Sequence, residues 1–156
     1  MRKYLLISLL LFAFSGGYAQ SLSFAELKNL TNLNSDQVHN YLLVSKGFKG
    51  KGKQVYGGRG FEIFKSNRTD PNKTETISLR SSEVTRGEVT RQVVYYTLRL
   101  QDINSLLAQA QQSDMTMMFR GSDKYNNIYR FDNSLFMAVI YISHDKKSGS
   151  IQVEEK

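Results

Sequence analysis

The chain of 156 residues contains no cysteine and no tryptophan, a single proline at Pro71, and two histidines. Each shortage excludes some chemistry. Without cysteine there is no thiolate nucleophile, no Cys-ligated zinc and no disulfide. The lipid-bearing cysteine of a lipoprotein is missing for the same reason. Stability has to come from a hydrophobic core alone. His39 and His144 cannot furnish the three or four convergent ligands of a zinc site, and His39 beside Asp36 is one helical pair at best. The lack of tryptophan removes the indole most often stacked against a sugar.

The motifs that suggest chemistry fail on context. Gly47-Phe48-Lys49-Gly50-Lys51-Gly52-Lys53-Gln54 approaches a phosphate-binding loop, but Gln54 stands where Ser or Thr must hold magnesium. It also follows an expected helix, whereas such a loop leaves a strand and opens a helix. The reading is a helix C-cap at Gly47 followed by a flexible basic loop. Ser143-His144-Asp145 holds the residue types of a catalytic triad, yet neighbours on a strand point to opposite faces and cannot converge. No G-x-S-x-G elbow is present. Glu62, Glu75, Glu83 and Glu88 are the candidates for a glycan-hydrolysing carboxylate pair, which would require a cleft with two facing carboxylates. The expectation is a protein that is not an enzyme, with no catalytic residue, no cofactor and no metal.

The first residues carry a clear pattern. Arg2 and Lys3 form a positive start, Tyr4 to Phe14 is apolar except for Ser8, and Gly17 and Ala19 hold the small-residue places before a cleavage site. As a helix the apolar run would span only about 16 Å, against a hydrocarbon core of roughly 30 Å. Residues 1–19 therefore read as a cleaved signal peptide. Residues 20–156 read as one domain, periplasmic or secreted, with no membrane span in the mature chain.

Within that domain, Ser23-Phe24-Ala25-Glu26 is a capping box, with Leu22 and Leu27 as its hydrophobic staple, so a helix is expected over Phe24 to Leu30. A second begins after Asn34 or Ser35, with Val38, Tyr41, Leu42 and Ser45 on one face and Gly47 as its C′ residue. Gln54–Lys65 reads as two short strands or one strand bent at Gly57, Gly58 and Gly60, and further strands are expected in Thr76–Ser82, Gln92–Leu100, Met115–Arg120, Lys124–Phe131 and Ser134–Ser143, with a last short one through Ile151 and Val153. Between them Asp102 is expected to cap a third helix with Ile103, Leu106, Leu107 and Ala110 as its buried stripe. The fold class is α+β: an antiparallel sheet packed by two or three helices, in the order helix, helix, strands, helix, strands. Asp36…Leu42-Leu43…Tyr56 is loosely echoed by Asp102…Leu106-Leu107…Tyr125, as two pseudo-repeated helix-plus-sheet units would give.

The Leu-rich first helix followed by Ser35-Asp36-Gln37-Val38 resembles the opening of small periplasmic β-lactamase-inhibitor-like and outer-membrane-assembly lipoprotein modules. The resemblance covers the first two helices, without the usual Gly before the second helix and without the lipid-bearing cysteine. It implies a binding module.

Charge adds one more feature. The chain carries a formal net charge of +7, and from Lys46 to Arg99 twelve basic residues face five acidic ones. Lys46, Lys49, Lys51, Lys53, Tyr56 and Arg59 interleave cations with rings, a pattern suited to polyanions. In an exported protein the fitting polyanions are lipopolysaccharide, an anionic glycan or extracellular DNA rather than a cellular transcript. Two functions are thus expected: a non-catalytic envelope protein that binds a macromolecule through its sheet or a sheet edge, or a polyanion binder using those six residues. A small hydrolase is the third.

Overall fold

The computed structural model describes residues 21–56, 59–81 and 91–156. The expected signal peptide lies outside the described residues. The first helix, α1 (Phe24–Asn32), starts as its sequence requires. The Ser23 hydroxyl accepts from Glu26 N–H at 3.2 Å and Glu26 Oε2 accepts from Ser23 N–H at 2.7 Å. Leu22, Leu27 and Leu30 are buried at 0–2 % exposure, each worth about 1.5–3 kcal/mol of burial.

A second capping box, Asn34 with Gln37, opens α2 (Ser35–His39). The chain then continues as a π-helical turn, Asn40–Ser45, closed by Lys46 N–H donating to the Tyr41 carbonyl at 3.0 Å. Val38 and Leu42, four residues apart on one helical face, both reach the core, and Gly47, at φ 67°, reverses the chain into the sheet.

Eight antiparallel strands follow: β1 (Phe48–Tyr56), β2 (Arg59–Ser66), β3 (Glu75–Ser81), β4 (Arg91–Thr97), then, after helix α3 (Leu100–Gln112), β5 (Thr116–Ser122), β6 (Asn126–Asp132), β7 (Phe136–Ser143) and β8 (Gly149–Glu155). They form one sheet in the order β1-β2-β3-β4-β8-β7-β6-β5, so the last strands of the two meanders pair at its centre. The fold is α+β, with three α-helices among the described residues.

Two expectations change. The Gly/Lys stretch is not a loop: it is edge strand β1, held by pairing with β2 and bulged between Gly50 and Lys53. Gly52, at φ 84°, supplies the left-handed residue that the bulge uses. Asp102 is not the cap of α3. The N-cap is Arg99, and Asp102 lies within the first turn, buried, with Arg99 Nη2 at 3.1 Å from Oδ1. The helix starts earlier because the Thr97 hydroxyl accepts from Arg99 N–H at 3.0 Å and ends β4 there.

All the described helices pack on one side of the sheet: α1 against β4 and β8, α3 against β4, β7 and β8, and the π-turn against β1. Ile77, Val93, Tyr95, Ile140, Ile151 and Val153 point to that side and are sealed beneath the helices. Gly149 lets α3 approach closest. A Cβ there would lie 2.7 and 2.8 Å from Ile103 Cγ1 and Cγ2.

Candidate functional site: the helix-free face of the sheet

Strand alternation sends every second residue to the other side, where no described helix lies. Ladder register aligns those residues in rows across the strands. One row runs Ile63, Ser78, Val94, Gln152, Val139, Arg130, Phe119. Beside it runs Lys49, Lys65, Thr76, Tyr96, Ser150, Tyr141, Ile128. On its other side Phe61, Arg80, Gln92, Glu154, Met137 and Asp132 are aligned. Tyr96 is 41 % and Phe119 51 % exposed, while most of the aliphatic residues between them are half-buried by their neighbours on the face.

The two halves differ in charge. Over β5–β8 the charges are matched: Arg130 Nη2 lies 3.0 Å from Asp132 Oδ2, Lys156 also pairs with Asp132, and Glu154 accepts from Gln92 at 3.0 Å. The Lys156 and Arg130 contacts hold the Asp132 carboxyl below the usual carboxylate range, the Lys156 hydrogen bond contributing most. Over β1–β4, Lys49, Lys65 and Arg80 project from the face with no carboxylate among the described residues there. Lys49 and Lys65 stand directly opposite one another.

The six residues singled out from the sequence are not gathered. Lys46 leaves the group: it is ion-paired with Glu26 at 2.6 Å and lies over the Tyr41 ring on the helix side. Lys49 reaches the open face, Lys51 lies in the β1 bulge, and Lys53 is paired with Glu62 on the helix side of the ladder. Tyr56 and Arg59 are ladder partners at the β1–β2 end. In their place the register sets Lys65 directly beside Lys49, with Tyr96 further along the same row and Arg80 on β3 in the row beyond Ser78. The signal for these was the alternation of their strands, but which strand neighbours which is not written in any local pattern.

Other polar clusters serve the fold. Glu26 binds Ser23, Tyr41 Oη at 2.5 Å and Lys46. Burial works against its charge, but these hydrogen bonds prevail and bring its pKa down to about 2. It lines a groove of about 330 Å³ with Leu30, Leu33 and Tyr41, where its carboxylate is already saturated. His39 Nε2 meets Glu62 Oε1 at 2.6 Å and its ring packs edge-on against Phe64. Among the described residues no three His, Asp or Glu side chains converge as metal ligands. Ser143 donates to Asp145 at 2.7 Å within the β7–β8 turn, and His144 is exposed, so these three side chains form a turn rather than a relay.

Of the carboxylates considered for hydrolysis, Glu83 and Glu88 lie outside the described residues. Glu75, 2 % exposed, sits near Asp102, 4 % exposed, with Arg68 Nη2 at 3.0 Å and Arg99 Nη1 at 3.9 Å from its Oε1. Burial pushes the pKa of both acids up, against the pull of the arginines. The pair is sealed beneath the sheet end rather than lining a cleft. No helix among the described residues is long and apolar enough to cross a membrane. No family model matches the chain, and it matches no curated protein and no solved structure.

Proposed function

We propose that this chain is an exported, non-catalytic binding protein that meets another macromolecule through the helix-free face of its sheet. The observation that carries the reading is the row structure of that face. Rings and aliphatic side chains stand in register across the strands, partly exposed, while the described helices cover only the other side. Partly exposed rings and aliphatic side chains on an uncovered sheet face are what interaction sites present. Each half of the sheet is a four-stranded meander, the first preceded by α1, α2 and the π-turn and the second by α3, and we read the two as pseudo-repeats that together build one continuous contact surface. The leader pattern places the partner in the cell envelope or outside it.

A second reading, polyanion binding, is favoured by one observation: the cations Lys49, Lys65 and Arg80 share a half-face without an acid. The first reading is tested with the chain from Gln20 immobilised and exposed to envelope extract. Phe119→Ala with Tyr141→Ala should abolish capture of the bound species. Val44→Ser, on the exposed end of the π-turn, should leave it unchanged. Equal capture by wild type and the open-face variant would refute the reading.

A further inference from the structure

We infer that the β1–β4 half of the open face binds an anionic polysaccharide, with Lys49, Lys65 and Arg80 taking its acidic groups and Tyr96 packing on its sugar. This rests on the reading of the open face as the contact surface and adds the chemistry of the partner. Three observations carry it. The first is charge. Three cations project from this half-face with no carboxylate beside them among the described residues, so an anion is the complement they lack.

The second is their arrangement. Like charges directly opposite on neighbouring strands destabilise a sheet, and Lys49 faces Lys65. An edge strand needs lysine to discourage pairing, but it does not need a second lysine across the ladder. The juxtaposition is unfavourable until an anion neutralises it.

The third is what adjoins the cations. The row of Lys49 and Lys65 continues through Thr76, Tyr96, Ser150 and Tyr141, so hydroxyls alternate with rings, and Arg80 lies four residues along β3 from Thr76 on the same face. Strands are roughly 4.8 Å apart, which puts the two tyrosines roughly 9.6 Å from one another with a serine between them. Ser78 and Gln152 lie in the next row. Sugars present apolar ring faces edged by hydroxyls, and this alternation of aromatic surface with hydroxyl and amide groups matches them. An acidic protein surface would instead ask for a desolvated apolar centre with a charged rim. On this half-face the apolar residues Phe61, Ile63 and Val94 are interspersed with Thr76, Ser78 and Gln92 rather than gathered into one centre.

The test measures binding of the chain from Gln20 to five probes: heparin, alginate, neutral dextran, poly-L-glutamate and oligo-dT. Heparin and alginate should bind more tightly than the other three, and their affinity should fall steeply with added salt. Lys65→Glu with Arg80→Glu should weaken both by at least about tenfold, while Lys147→Glu in the β7–β8 turn changes neither. Lys65→Glu should at the same time raise thermal stability, because it turns a repulsive pair into an attractive one. Tyr96→Ala should weaken the glycans and leave any residual poly-L-glutamate binding unchanged. Equal affinity for poly-L-glutamate or oligo-dT overturns the inference, as does indifference to Tyr96→Ala or absence of binding to both acidic glycans. If those results coincide with loss of envelope capture in the Phe119→Ala, Tyr141→Ala protein, the inference fails and the open-face reading stands.

Discussion

Gly149→Ala is the sharpest structural test of how α3 packs on its side of the sheet. Gly149 opens β8 at the centre of the sheet, paired with Thr97 and Ile142, and is buried under α3. An added Cβ would lie 2.7 Å from Ile103 Cγ1, 2.8 Å from Cγ2 and 3.0 Å from Cβ. Ile103 is fully buried, so nothing can swing aside and α3 must lift. Overpacking of this kind costs about 1–3 kcal/mol. At roughly 2–8 °C per kcal/mol for domains of this general size, the melting temperature should drop by several degrees or more. Urea denaturation provides the free energy. The companion variants make the test specific. Ile103→Val removes only Cδ1 and keeps both γ carbons, so it should not relieve the clash. Ile103→Ala removes both γ carbons at its own cost of about 2–5 kcal/mol, and on that background Gly149→Ala should add little. A Gly149→Ala protein within about 0.5 kcal/mol of wild type would refute the argument, as would equal rescue by valine and alanine at position 103.

Two further outcomes follow from the same geometry. Gly121→Ala should be nearly silent, within about 0.5 kcal/mol, although its Cβ would lie 2.4 Å from Phe119 Cζ. That ring is half-exposed and can rotate away, and matched urea midpoints check it. Stability should also be greatest at mildly acidic pH. Glu26 has its folded pKa lowered to about 2 from 4.5, so its contribution is complete above pH 4.5 and is lost as pH falls towards 2. It is worth about 1–2 kcal/mol once its partial exposure to solvent is allowed for, and Glu26→Gln should flatten that limb. Glu75 and Asp102 have raised folded pKa values, so the folded state holds their protons longer. Their contribution is complete below the unfolded pKa and fades as pH rises through the folded one. Glu75→Gln should reduce that decline in a series of urea midpoints across pH.

Signals in the sequence are legible where the interaction itself is local. The Ser23/Glu26 box and the stripe of Ile103, Leu106 and Ala110 involve residues within two helical turns, so their spacing is their geometry. Strand β1 escaped because Lys49, Gly50, Lys51, Gly52 and Lys53 have little strand propensity of their own, and the pairing with β2 imposes the conformation. Asp102 was misplaced because a carboxylate near a helix start normally caps it. Here its partner is the Arg99 guanidinium, a contact that depends on where β4 ends. The candidate site was legible only in part. Lys49 was visible as a basic residue among rings, whereas Lys65, Arg80 and Tyr96 join it only through a ladder register set by pairings distant in sequence.

The buried acids bear on which side of the sheet does the work. A hydrolytic pair of carboxyl groups must admit a substrate between them, at separations of roughly 5 to 9.5 Å and open to solvent. Glu75 and Asp102 lie on the helix side, almost without exposure, with Arg68 and Arg99 as their counter-ions. Tyr95 Oη is also buried nearby, and its pKa is driven up by burial and by both acids. Removing one member of such a cluster leaves an uncompensated charge, a cost of several kcal/mol that ties the start of α3 to β3 and β4. The cluster thus fixes the helix layer on its side of the sheet. On the opposite side the cations of β1–β3 have no carboxylate partner among the described residues. This division among the described residues, neutralised charge where the fold is anchored and unpaired cations on the face no described helix covers, supports binding across the open face over chemistry beneath it.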